Sequence, residues 1–131
     1  MARFNNWPQR LIAYIEARER RPFAWGKNAQ DCCSFANGAV IEMTGQDAMA
    51  DIPDYETAEE ADLILATPLA DLLDARFPRR PIGLARRGDI AMAELDGQDT
   101  LMIVEGATLV GPGRRGLVRL ARSAMRAAWA I

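Results

Sequence analysis

The run Asp31-Cys32-Cys33-Ser34-Phe35 opens a predicted helix, a few residues after the run Phe23-Ala24-Trp25-Gly26. Asp31 has the side chain of an N-cap, and Gly45 is suited to end the helix. Cys32 then falls in the first turn, on the apolar stripe that packs against the rest of the protein. Unpaired amides at a helix N-terminus lower the pKa of a nearby thiol. Cys32 therefore stands where a cysteine nucleophile would.

The chain contains no histidine, the residue that usually holds a catalytic cysteine in its thiolate form. Two interpretations of this position therefore remain open: a cysteine hydrolase that uses another base, or the fold of such an enzyme without its chemistry. A third is that Cys32 is an ordinary small buried residue. Cys33 falls off the apolar stripe and is interpreted only as a neighbour of the site.

Cysteine number and composition limit the class of protein. The two cysteines are adjacent, and vicinal cysteines do not form an unstrained structural disulfide. Structural zinc takes four nitrogen or sulfur ligands, so this chain predicts no metal site, and no motif indicates a cofactor. With 131 residues, half of them apolar, residues 1–131 are expected to form a single domain. The N-terminus has no long apolar stretch. We therefore expect neither a signal peptide nor membrane insertion, and a protein made in the cytoplasm.

Charge is distributed unevenly along the chain. Residues 1–41 carry a net charge of +3, residues 42–75 carry −10 and contain no basic residue, and residues 76–131 carry +5. The ordinary interpretation is an acidic and a basic surface that are both solvated. Alternatively, such surfaces dock charged neighbours in an assembly. Nucleic acid is not expected as a partner, because the arginines are not interleaved with aromatic residues and the chain is acidic overall.

Hydrophobic periodicity predicts helices in the first half of the chain. Asn6 is suited to cap the first helix, and Thr57 with Glu60 fits a capping box. The acidic residues 46–56 between these helices are expected to form a loop. The first predicted helix spans residues 7–20, and the second starts at residue 31 or 32 and runs to 44. Further helices begin after residue 57 and at residue 67, the last ending near residue 77.

From Gly88 onward the pattern changes to short strands separated by turns. Asp96-Gly97 is typical of a tight hairpin, and Pro112-Gly113 predicts another turn. Helices followed by a meandering sheet predict an α+β domain, with N-terminal helices packed on a C-terminal antiparallel β-sheet. The predicted strands span residues 89–94, 100–104, 107–110 and 117–120, with a last strand ending at 131.

Three of these motifs resemble the NlpC-like branch of the papain-fold cell-wall peptidases. That family has a Tyr-x-Trp/Tyr-Gly-Gly loop, an Asp-Cys-Ser-Gly helix start and a Pro-Gly-Asp-Leu strand. Residues 23–26 (Phe-Ala-Trp-Gly), 31–34 and 87–90 (Arg-Gly-Asp-Ile) match these elements in order. The resemblance implies a papain-like NlpC-type domain with Cys32 at the nucleophile position. The positions that it assigns to binding are Trp25, Gly26 and Asp31.

The fourth element of the family is a His-Val-Gly-Ile-Tyr-Leu-Gly strand that supplies the base. Residues 100–106 (Thr-Leu-Met-Ile-Val-Glu-Gly) have its length and hydrophobicity. Counting back from Gly106 puts Thr100 at the histidine position, with Asp99 beside it as a possible substitute. Neither side chain takes a thiol proton near neutral pH and returns it to a leaving amine as an imidazole does. The departure favours a non-catalytic protein.

Residues 7–11 (Trp-Pro-Gln-Arg-Leu) and 128–131 (Ala-Trp-Ala-Ile) further resemble motifs of small tailed-phage proteins, in which they recur with the Trp-Gly, Asp-Cys and Arg-Gly-Asp motifs in a chain of about this length. This resemblance implies a structural protein of the tail tip or of tail assembly, located in the virion tail and assembled in the bacterial cytoplasm. Its partners would be other tail-tip or hub proteins, with peptidoglycan as a further one. The alternatives are an active peptidoglycan cysteine peptidase or amidase that uses Cys32 with a non-histidine or partner-supplied base, and a cytoplasmic peptide or acyl-group binder.

Each motif also has a purely structural interpretation. Asp31 serves equally as a helix cap, and Asp89 as a turn or sheet residue. Trp25 serves as a packing wedge in the wall of a groove. The pairs Arg79-Arg80 and Arg86-Arg87 are expected to be solvated or to face a partner.

Overall fold

The computed structural model describes residues 1–65 and 67–131. Helices fill the first half of the chain and strands the second, as the sequence predicts. No helix within these residues is both long and apolar enough to cross a membrane. The α-helices are α1 (Trp7–Arg18), α2 (Cys32–Thr44), α3 (Ala58–Ile64) and α4 (Leu69–Asp74).

The strands form a six-stranded antiparallel sheet in the order β1-β6-β2-β3-β4-β5. The four strands β2 to β5 follow one another as a meander, and β6 returns to pair with the free side of β2. This arrangement confirms the α+β class with helices packed against a C-terminal sheet. The strands are β1 (Arg79–Arg80), β2 (Ile90–Leu95), β3 (Gln98–Val104), β4 (Thr108–Gly113), β5 (Gly116–Ala121) and β6 (Ala127–Trp129).

Local residues set most of the helix ends. α2 begins after Asp31 and ends at Gly45, whose φ of 74° is the left-handed conformation that glycine adopts without strain. The Thr57 side chain caps α3 by accepting from the amide of Glu60, as predicted, but the Glu60 carboxylate accepts from the Thr57 hydroxyl and not from its amide as a capping box requires. Asn6 occupies the N-cap position of α1, but its side chain makes no capping hydrogen bond. The expectation that Asn6 caps this helix was therefore wrong in its chemistry.

The turns confirm one prediction and contradict another. Asp96 and Gly97 both have positive φ (52° and 79°), as the tight turn between β2 and β3 requires. The turn predicted at Pro112-Gly113 is wrong, because both residues lie inside β4. The chain reverses one step later, and Gly113 pairs with Gly116, whose φ is 147°. The two-residue strand β1 was not predicted from the sequence.

Both faces of the sheet are covered. Leu101 and Ile103 of β3 pack with the helices in the main core, which also contains the fully buried Phe35 and Trp129. Met102 and Val104 point to the opposite face, where they pack in a second cluster under the turns around Ala85 and Ala124. Alternate residues of each central strand therefore enter two different cores. We call these the helix face and the far face.

Asp89 joins distant parts of the chain. Its side chain is fully buried and forms ion pairs with Arg80 at 2.7 Å and with Arg3 at 3.3 Å. It also accepts hydrogen bonds from the amides of Arg86 at 2.8 Å and Ile131 at 3.2 Å. A buried charge needs such partners, so Asp89 has the structural role that its strand position indicated. It lies outside the groove described below.

In the first arginine pair, Arg80 is not solvated as expected, whereas Arg79 is. Arg80 contacts the buried Asp89, and its side chain is 19% exposed. Arg79 makes two hydrogen bonds to Asp74, at 2.6 and 3.1 Å, and its guanidinium lies 4.9 Å from the ring centre of Trp129. Only Arg80 is therefore drawn into the fold, since the side chain of Arg79 is 52% exposed and those of the second pair are exposed as well.

The outer strand β5 is held by the segment that follows α1. The amide of Leu117 donates to the carbonyl of Glu19 at 2.9 Å, and the amide of Phe23 donates to the carbonyl of Gly113 at 2.9 Å. Arg119, in the middle of β5, forms ion pairs with Glu19 and Glu105. Hydrogen bonding to these carboxylates raises the pKa of Arg119 further above its ordinary value.

Candidate functional site

The N-terminus of α2 is fixed by Asp31, which is 1% exposed. One carboxylate oxygen accepts from the amide of Ser34 at 2.8 Å, which confirms the predicted cap. The other accepts from the hydroxyl of Tyr55 at 2.7 Å and from the amide of Gly26 at 3.2 Å. Both oxygens are thus engaged in holding the preceding loop and the Tyr55 segment against the start of α2. Asp31 is a positioning residue for Cys32.

Gly26 gives this loop its shape. Its φ is 144°, and a Cβ on it would lie 3.1 Å from the Cβ of Ala29, so that a side chain is both strained and crowded there. Its carbonyl accepts from the hydroxyl of Ser34 at 2.9 Å. The residue predicted from the family motif to take part in binding therefore acts here through the backbone, by turning the loop that carries Trp25.

The two thiols differ in environment. Cys32 is half-buried and Cys33 is buried, so the cysteine that was expected to be a mere neighbour is the one packed into the core. A hydrogen bond from the Cys33 thiol lowers the pKa of Cys32. Burial raises it, and a main-chain hydrogen bond from Leu101 lowers it further. The same thiol–thiol bond, together with burial, raises the pKa of Cys33. Cys32 is therefore the thiol that ionises first.

The register of β3 decides which side chains can approach Cys32. Thr100 pairs with Ala93, and Ala93 belongs to the far face of the sheet. Because directly paired residues of an antiparallel sheet share a face, the side chain of Thr100 points away from α2. Asp99 and Leu101 point to the helix face, and Leu101 packs in the core that Cys32 also contacts. Thr100, which the count along the family motif put at the position of the base, therefore does not turn its side chain towards the thiol.

An open groove of about 540 Å³ runs past Cys32. It gathers Trp25, Asp31, Cys32, Asp99 and Thr100, five of the six residues singled out from the sequence; Gly26 lies behind the wall. Since its side chain points to the far face, Thr100 can line the groove only with its main chain. The other lining residues are Phe23, Cys33, Tyr55, Ala61, Asp62, Leu65, Thr67, Leu69, Leu95, Asp96, Gln98, Pro112, Gly113 and Arg114.

Trp25 presents a large aromatic surface to this groove. It is 45% exposed, and its ring meets Phe23 edge to face with centroids 5.0 Å apart and planes at 82°. Trp25 therefore keeps almost half of its surface accessible, where a ligand can contact it.

The family described as a domain of unknown function, DUF6950, matches residues 2–131. The chain belongs to this family. The DUF6950 match spans all of the elements described above, from α1 to β6. No curated protein matches the chain.

Sequence reasoning missed two residues of this candidate site, Tyr55 and Leu101. Tyr55 lies in the acidic segment that was expected to be a simple loop, yet it is 4% exposed and bonded to Asp31. Burial, and then its bond to Asp31, raises the pKa of Tyr55, which keeps the hydroxyl protonated as a donor. An aromatic residue isolated among acids was the available signal. Leu101 was visible only through the register of β3.

The charges that line the groove are mainly acidic. Among the described residues, no group of three or more histidine, cysteine, aspartate or glutamate side chains is placed to hold a metal ion. Asp62, Asp96 and Asp99 are exposed, and Arg114 is the one basic residue among those described that line the groove. The arrangement can hold a thiolate, contact a ligand through Trp25 and attract positive charge.

Proposed function

We propose that this protein is a structural subunit of a tailed-phage tail tip, or of a related phage-like particle, with a degenerate cysteine-peptidase domain of the papain-like NlpC type. One observation carries the proposal. Cys32 opens onto a preserved groove, but the side chain that β3 places in the neighbouring core is Leu101, and the chain has no histidine. The position of a nucleophile is present beside a groove, and the histidine that would serve as its base is absent from the sequence.

The chemistry explains why the missing base matters. Amide hydrolysis by a cysteine requires that a proton leave the thiol and later reach the departing amine. Hydrogen bonds from Cys33 and from the main chain of Leu101 stabilise a thiolate, which serves the first requirement. Neither group delivers a proton to an amine near neutral pH. We therefore expect a groove that binds peptide and does not hydrolyse it.

The tail assignment rests on the motifs that resemble small tailed-phage proteins, residues 7–11, 23–26 and 128–131 among them. The order of elements, helices first and an antiparallel sheet second, is compatible with an NlpC-type domain. The location is tested by mass spectrometry of purified particles from a strain that carries the gene. We expect the protein in intact tails in a fixed ratio to the other tail-tip proteins. Its absence from such particles would contradict the assignment.

Loss of catalysis is tested with purified peptidoglycan. We expect the recombinant protein to release no new amino groups or soluble muropeptides, and Cys32→Ala to be indistinguishable from it. An active phage endopeptidase in the same assay is the positive control. Release that disappears in the Cys32→Ala protein would refute the non-catalytic proposal.

A second candidate is an active cysteine peptidase or amidase that uses Asp99. Two observations favour it: hydrogen bonding lowers the pKa of Cys32, and Asp99 points to the helix face and lines the same groove. This candidate requires that Cys32→Ala and Asp99→Asn each abolish release from peptidoglycan. Asp71→Asn is the matched control, because it removes an exposed charge outside the groove.

A further inference from the structure

The groove beside Cys32 has a definite chemical character. Among the described residues that line it, three have exposed carboxylates, Asp62, Asp96 and Asp99, and one, Arg114, has a guanidinium group. The acids come from two separated parts of the fold, α3 and the β2–β3 hairpin. Carboxylates that line one groove repel anions and raise the local concentration of cations.

Apolar surface lies between these charges. Trp25 is open on one wall, and the lining also includes Leu65, Leu69, Leu95 and Pro112. The volume of about 540 Å³ falls within the range of natural ligand sites, roughly 300–1,000 Å³. An aromatic ring beside carboxylates is suited to bind a lysine or arginine side chain, by cation–π contact and by ion pairing together.

We infer that this groove binds an extended segment of a partner protein in which basic and apolar side chains are interleaved. The inference rests on the proposed function, in which the groove holds peptide without cleaving it. Charge complementarity selects this occupant. Peptidoglycan stem peptides carry free carboxylates, and the three exposed acids would repel them. A second copy of this chain, presenting its arginine-rich half, is the competing occupant.

The first test compares two labelled probe peptides by fluorescence anisotropy. One has the sequence Leu-Arg-Leu-Lys-Leu-Arg and the other Leu-Glu-Leu-Glu-Leu-Glu, both with blocked ends. We expect the basic peptide to bind, the acidic peptide not to bind, and the affinity to fall as salt is raised from about 0.05 to 0.5 M because exposed charges are screened. Equal binding of both peptides, or binding of neither, would overturn the inference.

Two triple variants locate the binding. The first variant combines Asp62→Asn, Asp96→Asn and Asp99→Asn and removes the groove acids. Each exposed ion pair between one of these acids and the peptide contributes up to a few-fold in affinity. We expect the basic peptide to bind about tenfold more weakly. The control removes three exposed acids outside the groove and should change affinity by no more than about twofold; it combines Asp54→Asn, Glu59→Gln and Asp71→Asn. Equal losses in the two triple variants would show general attraction to an acidic protein and overturn the inference.

Trp25→Ala checks the apolar contribution and should also weaken binding about tenfold, since exposed aromatic anchors dominate peptide sites. Circular dichroism of each variant establishes that the fold is kept. Sedimentation of the protein without peptide tests whether a second copy of the chain occupies the groove. A monomer supports the inference of a partner segment. Self-association that the triple variant of the groove acids abolishes would overturn that inference.

Mass spectrometry of the basic peptide after long incubation separates the two proposals. An intact, bound peptide supports both. An intact peptide that does not bind overturns this inference and leaves the non-catalytic function standing. Cleavage by the native protein that is lost in Cys32→Ala would overturn the non-catalytic function. The inference about binding, which rests on its charge dependence, would still stand.

Discussion

Replacing Asp89 by asparagine should destabilise the fold by about 3 kcal/mol. The carboxylate is fully buried and is shared by Arg3 and Arg80, with two main-chain amides completing its hydrogen bonds. Asparagine has nearly the same shape and keeps one acceptor oxygen. The substitution therefore removes the charge and leaves two guanidinium groups without their partner.

The magnitude follows from the burial of these groups. Removing one member of a buried ion pair costs about 3–5 kcal/mol, because the remaining charge is left uncompensated. The side chains of Arg3 and Arg80 are 14% and 19% exposed, so water partly replaces the lost carboxylate. The loss should thus fall at the lower end of that range. Burial already lowers the pKa of Arg3, although Asp89 opposes this.

Urea unfolding followed by far-ultraviolet circular dichroism measures the effect. Asp51→Asn is the matched control, because Asp51 also bonds an arginine, Arg76, but is 69% exposed. Exposed pairs contribute about 0.2–1 kcal/mol, so the control should lose less than 1 kcal/mol. Adding Arg80→Met to Asp89→Asn should restore part of the loss. Similar losses in the two single variants would refute the reasoning.

Three further predictions concern the site. Iodoacetamide should modify Cys32 before Cys33. The rate of this modification should reach half of its maximum at a lower pH than for an ordinary thiol, because the pKa of Cys32 is lowered. Peptide mapping that finds both cysteines labelled at the same rate would contradict the predicted order. Tyr55→Phe should lose about 1–3 kcal/mol in urea unfolding, since the buried Asp31 is left short of a donor at 2.7 Å; an unchanged midpoint would refute it. Thr100→Val should leave the alkylation rate of Cys32 unchanged, and a large change would return Thr100 to the site.

The parts of the fold that short-range chemistry determines were predictable. The ends of α2 were predicted to within one residue, because a capping aspartate and a left-handed glycine act within one turn. The Asp96-Gly97 hairpin was predicted for the same reason. These features need no knowledge of what lies across the fold.

The face of β3 was not predictable in this way. The strand signal in sequence is alternation between apolar and polar residues, and it disappears when both faces are covered. Leu101, Met102, Ile103 and Val104 are all fully buried, so the sequence reads as a continuous apolar run. The register that separates Thr100 from the helix face depends on the hairpin pairing, which joins Leu95 to Gln98. A count along a family motif carries no such pairing.

Long-range pairing explains the other errors. β1 has two residues and exists because β6 returns beside it. Arg80 was predicted to be solvated because it is charged. Its partner, the buried Asp89, lies nine residues away in sequence, and the sequence pattern did not reveal this contact. Gathering the predicted groove residues at one place succeeded because they lie on the loop before α2 and on the adjacent β3.

The contacts of β5 bear on how the protein behaves at high concentration. An edge strand with unpaired amides is a template on which another chain can add, and repeated addition leads to aggregates. Here the segment after α1 takes up the Leu117 amide, and Arg119 places a charge in the middle of the strand. At the opposite edge, β1 offers only two residues. The sheet is thereby protected against open-ended growth, which lets many copies be crowded together without polymerising through their strands.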